Sequence, residues 1–106
     1  MRILKTLLTL SFCVSPLYAF AEGDYEAGKL LANTCSGCHG IPHYNNVYPT
    51  YHVPKIGGQN KEYLVAALKE YKNGGRVHST MNSQAHALSD QEIEDIAVFL
   101  AAQTEK

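Results

Sequence analysis

The chain has 106 residues, the size of one small domain, and its formal net charge is −1 with histidine neutral. It holds no block of basic residues, so a nucleic-acid partner is not expected. A domain of this size has a marginal hydrophobic core, so stabilisation by a cofactor or another added group is expected.

The first 21 residues have the pattern of a secretory signal peptide. Arg2 and Lys5 give a basic start, residues 7–17 are mostly apolar and uncharged, and residues 19–21 form a small-x-small cleavage triplet. The alternative is a membrane anchor, but the uncharged run is short for a span of ~20 residues. We expect cleavage and export to the periplasm, which leaves residues 22–106 as one domain without a membrane span. Losing two of nine basic residues while keeping all ten acidic ones gives the mature chain a net charge of −3.

The mature chain is predicted to begin with a helix. Asp24 can cap it, Glu26 suits its positive start, and the helix is expected to run to about Asn33 and lead directly into Cys35. Gly28 stands in its middle, where glycine is unfavourable, which indicates close approach by another helix. The spacing i, i+3, i+4, i+7 predicts one packed face made of Ala27, Leu30, Leu31 and Thr34.

Cys35-Ser36-Gly37-Cys38-His39 follows, and Cys35 and Cys38 are the only cysteines of the predicted mature chain. Two thiols two residues apart with an adjacent histidine form the attachment signature of a c-type haem. Three alternatives stay open besides chance: a disulfide between the two thiols, a redox dithiol, which would need a βαβ context, and half of a zinc site, which would need two more ligands. On the haem interpretation the thiols form thioethers and His39 is the proximal ligand of the iron.

Residues 41–53 have no helical period and are predicted to form an irregular loop along one side of the cofactor. The aromatic and imidazole side chains there are Tyr44, Tyr48, Tyr51, His43 and His52. The tyrosines could cover the haem, or they could only fill space beneath the loop. Pro54 to Gln59 then predicts a tight turn.

Two further helices are predicted. Asn60 can cap one over residues 61–73, which Gly74 and Gly75 end, and residues 76–88 are expected to be polar and irregular. Ser89-Asp90-Gln91-Glu92 is a capping box, and the last helix follows it to about Gln103. The side chains expected to face the core are Tyr63, Leu64, Ala67, Leu68 and Tyr71 from the earlier helix, and Ile93, Ile96, Ala97, Phe99 and Leu100 from the last. The predicted fold is all-α, with three main helices and irregular loops around one covalent haem.

The second axial ligand of the iron has five candidates: Met81, His43, His52, His78 and His86. Met81 is the only methionine of the predicted mature chain, and its neighbours are polar, which weakens the alternative that it fills a core. A methionine thioether would raise the reduction potential relative to a second histidine. We therefore expect Met81 to bind the iron, with histidine ligation as the alternative.

Together these residues resemble a class I cytochrome c, most closely the small bacterial periplasmic cytochromes of the c4 and c553 type. The resemblance covers essentially the whole mature chain and implies that Cys35 and Cys38 hold haem c, with His39 and Met81 on its iron. Residues 54–59 are similar to the family's Pro-x-Leu-x-Gly-Gln turn, which implies that the Pro54 carbonyl orients His39. Gly28 and Phe99 match the positions where the first and last helices cross. The loop 41–53 departs from the Gly/Asp/Asn-rich family pattern, so the resemblance does not extend to propionate contacts or the docking surface.

The resemblance implies a one-electron carrier that exchanges electrons with protein donors and acceptors and is not an enzyme by itself. A second interpretation is a haem subunit of a periplasmic oxidoreductase, such as a flavin- or molybdenum-dependent dehydrogenase. A third is a haem sensor or peroxidase, which would need an open sixth position on the iron.

Overall fold

The computed structural model describes residues 22–41 and 53–104. Within these ranges the chain forms helices and no strands, so the all-α prediction is confirmed. The elements are α1 (Tyr25–Leu31), α2 (Asn33–Ser36), α3 (Lys61–Asn73), α4 (Ser79–His86) and α5 (Asp90–Ala101). The predicted signal peptide and residues 42–52 of the tyrosine-rich loop lie outside the described residues, and no helix in the described ranges is long and apolar enough to cross a membrane.

The beginning of α1 agrees with the prediction. Its predicted packed face is confirmed for Leu31, which packs on the core, and wrong for Leu30. Asp24 caps the helix, because its carboxylate accepts a hydrogen bond from the Ala27 amide at 2.9 Å. The single predicted helix is interrupted at Ala32, and the short α2 continues from there to Ser36. Leu30 was predicted to face the core and is 80% exposed, whereas Gly28 and Ala32 are buried.

Helix α1 packs face to face with α5, and the contact is made at Gly28. A Cβ atom at this position would collide with the backbone carbonyl of Asp95. Two further contacts hold the pair: the ring edge of Tyr25 lies against Phe99, with centroids 5.3 Å apart, and the Asp24 amide donates to the buried Asp95 carboxylate at 2.7 Å. The smallest residue therefore sets the packed face of α1, and this explains why the Leu30 face points away.

Helix α5 is the centre of the core, and its predicted apolar face is confirmed. Its capping box is present: the Ser89 hydroxyl accepts from the Glu92 amide at 3.1 Å, and the Ser89 amide donates to the Glu92 carboxylate at 2.8 Å. The buried hydrophobic cluster consists of Ala32, Ile41, Leu64, Ile96, Ala97, Phe99 and Leu100.

Helix α3 packs on α5 and has the predicted bounds. Asn60 caps its beginning, and Gly74, with a φ of 84°, ends it. Tyr63, a member of its predicted core face, is half exposed.

The prediction that residues 76–88 are irregular is wrong, because α4 lies within them. His78 is not a common capping residue, yet its Nδ1 accepts a hydrogen bond from the Met81 amide at 3.3 Å. The backbone N–H of Asn82 donates to the His78 carbonyl at 2.8 Å. Ala85 is fully buried, so one small apolar side chain anchors an otherwise polar helix.

The packing at Gly28 gives a prediction. Gly28→Ala should lower the free energy of unfolding of the haem-loaded protein by about 1–3 kcal/mol, because the added methyl group forces the helices apart. Helix propensity alone predicts the opposite, an increase of about 1 kcal/mol in the free energy of unfolding. Guanidinium unfolding measures the change. The control is Gly75→Ala, whose Cβ would lie 3.7 Å from the Glu70 carbonyl, an ordinary contact. Equal midpoints for the two variants would contradict the packing argument.

Candidate functional site

The segment from Cys35 to His39 forms one helical turn. The Cys35 carbonyl accepts hydrogen bonds from the His39 amide at 2.9 Å and from the Cys38 amide at 3.1 Å. Residues spaced i, i+3 and i+4 on such a turn lie on the same face. The backbone at the end of α2 therefore presents two thiols and one imidazole on one side.

The two thiols differ in their surroundings. Both are free, but Cys35 is half buried and packs against the core, whereas Cys38 is exposed. Burial raises the pKa of the Cys35 thiol above its ordinary value, and its hydrogen bond with Thr34 offsets this in part. A redox dithiol of the thioredoxin type would need a βαβ context. The described ranges form helices and no strands.

His39 is held by a backbone carbonyl. The residue is 8% exposed, and its Nδ1 lies 2.6 Å from the carbonyl oxygen of Pro54. A carbonyl oxygen only accepts, so Nδ1 carries the proton of this bond. In the neutral ring the metal-binding lone pair is then on Nε2, and the hydrogen bond fixes both tautomer and ring orientation.

The turn that carries Pro54 is attached at both ends. The Gly40 carbonyl, directly after His39, accepts from the Ile56 and Gly57 amides at 3.2 and 3.1 Å. The Gly58 amide donates to the Leu100 carbonyl of α5 at 2.8 Å, and Gly58 has a left-handed φ of 80°. The predicted tight turn thus connects the attachment segment to the central helix.

Met81 lies on α4, apart from this arrangement. It is half buried, while His78 and His86 on either side of it along the chain are exposed. Among the described helices α4 packs against α3 alone, so the structure does not bring Met81 into direct contact with α2. The remaining candidates, His43 and His52, lie outside the described residues.

The donor set of the turn from Cys35 to His39 fits a c-type haem. In the parts of the chain that the structure describes, no three His, Cys, Asp or Glu side chains are arranged to hold a metal ion, as the zinc alternative would require. A c-type haem needs two thiols for its edge and one imidazole for its iron. The turn from Cys35 to His39 supplies these groups, with the imidazole already oriented.

Asn82 is a structural residue that was not predicted from the sequence. Its side chain donates hydrogen bonds to the Tyr71 and Arg76 carbonyls, both at 2.8 Å, and accepts one from the His78 amide at 2.8 Å. The one available signal was an asparagine directly after the predicted ligand. Residue type alone did not distinguish it from its polar neighbours.

Comparison with known proteins places these features in a family. The model of the family described as Cytochrome c matches residues 25–104. Cytochrome c4 of Pseudomonas aeruginosa is 36% identical over 85 residues, which cover 80% of this chain and 41% of the relative. Cytochrome c-554(548) of Halomonas halodenitrificans is 36% identical over 84 residues, covering 76% of this chain and 98% of the relative. The cytochrome subunit of sulfide dehydrogenase of Chlorobaculum tepidum is 32% identical over 79 residues, covering 74% and 68%. The chain spans only about two fifths of the length of the Pseudomonas relative.

The turn beside His39 gives a second prediction. Gly58→Ala should lower the free energy of unfolding by more than the roughly 1–2 kcal/mol of left-handed backbone strain, because its Cβ would also lie 3.0 Å from the Gln103 carbonyl. Gly74→Ala is the matched control, since its φ of 84° is similar but nothing lies within 4 Å of its Cβ. Denaturant titration of both variants measures the difference. A smaller loss for Gly58→Ala than for Gly74→Ala would contradict this account of the turn.

Proposed function

Because the chain belongs to the cytochrome c family, we propose that it is a periplasmic mono-haem carrier of single electrons, with His39 and Met81 as axial ligands. The observation that carries the proposal is the turn from Cys35 to His39, with the imidazole hydrogen-bonded to the Pro54 carbonyl. The predicted signal peptide supports export. No side chain needs to act as an acid or base, so the chain transfers electrons without being an enzyme by itself.

In this proposal the two cysteines hold the haem, and Pro54 holds the ring of His39. Cys35 and Cys38 would hold the haem through two thioether bonds, each formed by addition of a thiol to a vinyl group with the thiol hydrogen passing to the neighbouring carbon. The bound haem supplies a one-electron couple between ferrous and ferric iron. Pro54 keeps the His39 ring fixed during electron transfer, because the hydrogen bond to Nδ1 restricts its rotation.

Apolar side chains around the core support an enclosed cofactor. Several are only partly buried while packing on the core cluster, among them Leu31, Ile56, Val65, Leu68 and Leu88. Partly exposed apolar surface of this kind can cover an apolar macrocycle and exclude water from it. Water exclusion stabilises the ligand set and limits the charge rearrangement that accompanies electron transfer.

The choice of Met81 is supported by burial and by chemistry. It is half buried, whereas His78 and His86 are exposed, and the His78 Nδ1 accepts a hydrogen bond from the Met81 amide. A thioether is a neutral, soft ligand that stabilises ferrous iron and suits a carrier of higher potential.

Substitution of Met81 tests the ligand set. Met81→Ala should abolish the weak near-infrared band that arises from methionine bound to ferric iron. It should also lower the midpoint potential by on the order of 100 mV, within the ~0.8 V range that axial ligands span. His86→Ala is the matched control, since His86 lies exposed on the same helix, and it should leave both quantities unchanged. An unchanged low-spin spectrum of Met81→Ala, oxidised and reduced, would show that Met81 is not the ligand.

A second candidate function is that of a haem subunit in an oxidoreductase. One observation favours it: a relative that is 32% identical over 79 residues is the cytochrome subunit of a sulfide dehydrogenase.

The mass of the native protein separates the two functions. A free carrier purified from the periplasm should elute as the mature chain alone, and its denatured mass should equal residues 22–106 plus one haem. A stable complex with a larger catalytic chain would contradict the free-carrier proposal. A mass corresponding to more than one haem per chain would contradict the mono-haem assignment.

A further inference from the structure

The segment before Met81 is tied together by one side chain, that of Asn82. Its amide nitrogen donates to the carbonyls of Tyr71 and Arg76, and its amide oxygen accepts from the His78 backbone N–H, each at 2.8 Å. A carboxamide has two N–H donors, and both are used here. One residue of α4 therefore joins the end of α3, the connecting segment and the first turn of α4.

The backbone of Asn82 closes the same turn. Its N–H donates to the His78 carbonyl at 2.8 Å, so His78 and Asn82 are joined by two reciprocal hydrogen bonds. Met81 lies inside this closed turn, and its own amide donates to His78 Nδ1 at 3.3 Å. The backbone that carries Met81 is thus fixed on both sides.

The partners of Asn82 are themselves held in place. The Arg76 guanidinium lies over the Tyr71 ring, 4.9 Å from its centroid, and the Arg76 amide donates to the Glu70 carbonyl at 3.2 Å. The two carbonyls that receive the Asn82 amide group therefore belong to an ordered connection. This gives the hydrogen bonds a fixed frame rather than a mobile loop.

A methionine ligand depends on such a frame. Its side chain has several rotatable bonds and no charge, so it gains little from long-range attraction to the iron. The positions that its sulfur can reach are set by the backbone. Among the described helices α4 packs only on α3, and α3 with its connection is where Asn82 attaches α4.

We propose that Asn82 is the positioning residue for the methionine ligand, acting through the backbone and not by contact with the iron. The proposal rests on Met81 being the axial ligand. Losing the three side-chain hydrogen bonds loosens the first turn of α4, so the sulfur leaves the iron more readily and a competing ligand binds more easily.

Displacement of the methionine by added imidazole tests this proposal on the haem-loaded protein. The ferric protein is titrated with imidazole while the near-infrared band is followed. Asn82→Ala should keep the band without imidazole but reach half-displacement at an imidazole concentration about tenfold lower than wild type, the factor given by ~1.4 kcal/mol. Asn82→Asp keeps the oxygen that faces the His78 amide but replaces the donors to the Tyr71 and Arg76 carbonyls with an acceptor, so it should show a similar shift.

Gln84→Ala is the matched control, because Gln84 lies exposed on the same helix. The imidazole concentration at half-displacement should stay within twofold of wild type in this variant. Guanidinium unfolding is measured alongside. An Asn82→Ala protein with reduced stability but an unchanged imidazole midpoint would show a structural role only and overturn the proposal. If Asn82→Ala cannot be produced as a folded protein, Asn82→Asp is measured instead. Reduced stability with an unchanged imidazole midpoint in that variant would likewise overturn the proposal. Failure of the Met81 assignment is distinguishable, because the wild-type ferric protein would then lack the near-infrared band and Met81→Ala would keep the low-spin spectrum of the wild type.

Discussion

The hydrogen bond between the His39 imidazole and the Pro54 carbonyl connects the two parts of the chain that the site requires. It reaches from the attachment turn at the end of α2 to the turn that precedes α3. That second turn is bonded to Gly40 on one side and to the end of α5 through Gly58 on the other. The imidazole orientation therefore depends on the whole helical core and not on the local turn alone.

The core in turn depends on a close helix crossing. At Gly28 the backbones of α1 and α5 approach until no side chain fits, and Asp95 holds the beginning of α1 through the Asp24 amide. This crossing places α2, and with it the two thiols, beside the turn that carries Pro54. Helix α4 belongs to a different part of the frame, since its attachment runs through Asn82 to α3. The proposed ligands of the iron are thus supported by separate sets of contacts.

Much of this architecture was predictable from local chemistry. Caps at Asp24, Asn60 and Ser89, a stop at Gly74 and the apolar period of α5 are all signals within a few residues of one another, and the structure contains each of them. The close approach of another helix at Gly28 was predicted from the glycine itself, but the exposure of Leu30 and the existence of α4 were not predictable in this way. In α1 a glycine contact outweighs the apolar period, and α4 begins at a histidine cap supported by hydrogen bonds to residues before it.

The sequence by itself determined the spacing of Cys35, Cys38 and His39, which places two thiols and one imidazole on the same face of a helical turn. It also determined the helical class, through caps and periodicity that act over short distances. The resemblance pointed to the Pro54 carbonyl as the partner of His39, but only the tertiary structure shows how the turn that carries it is attached. Only the tertiary structure decided that Leu30 is exposed and how the backbone around Met81 is held. These features join residues from different elements, and their partners are known only once the helices have packed.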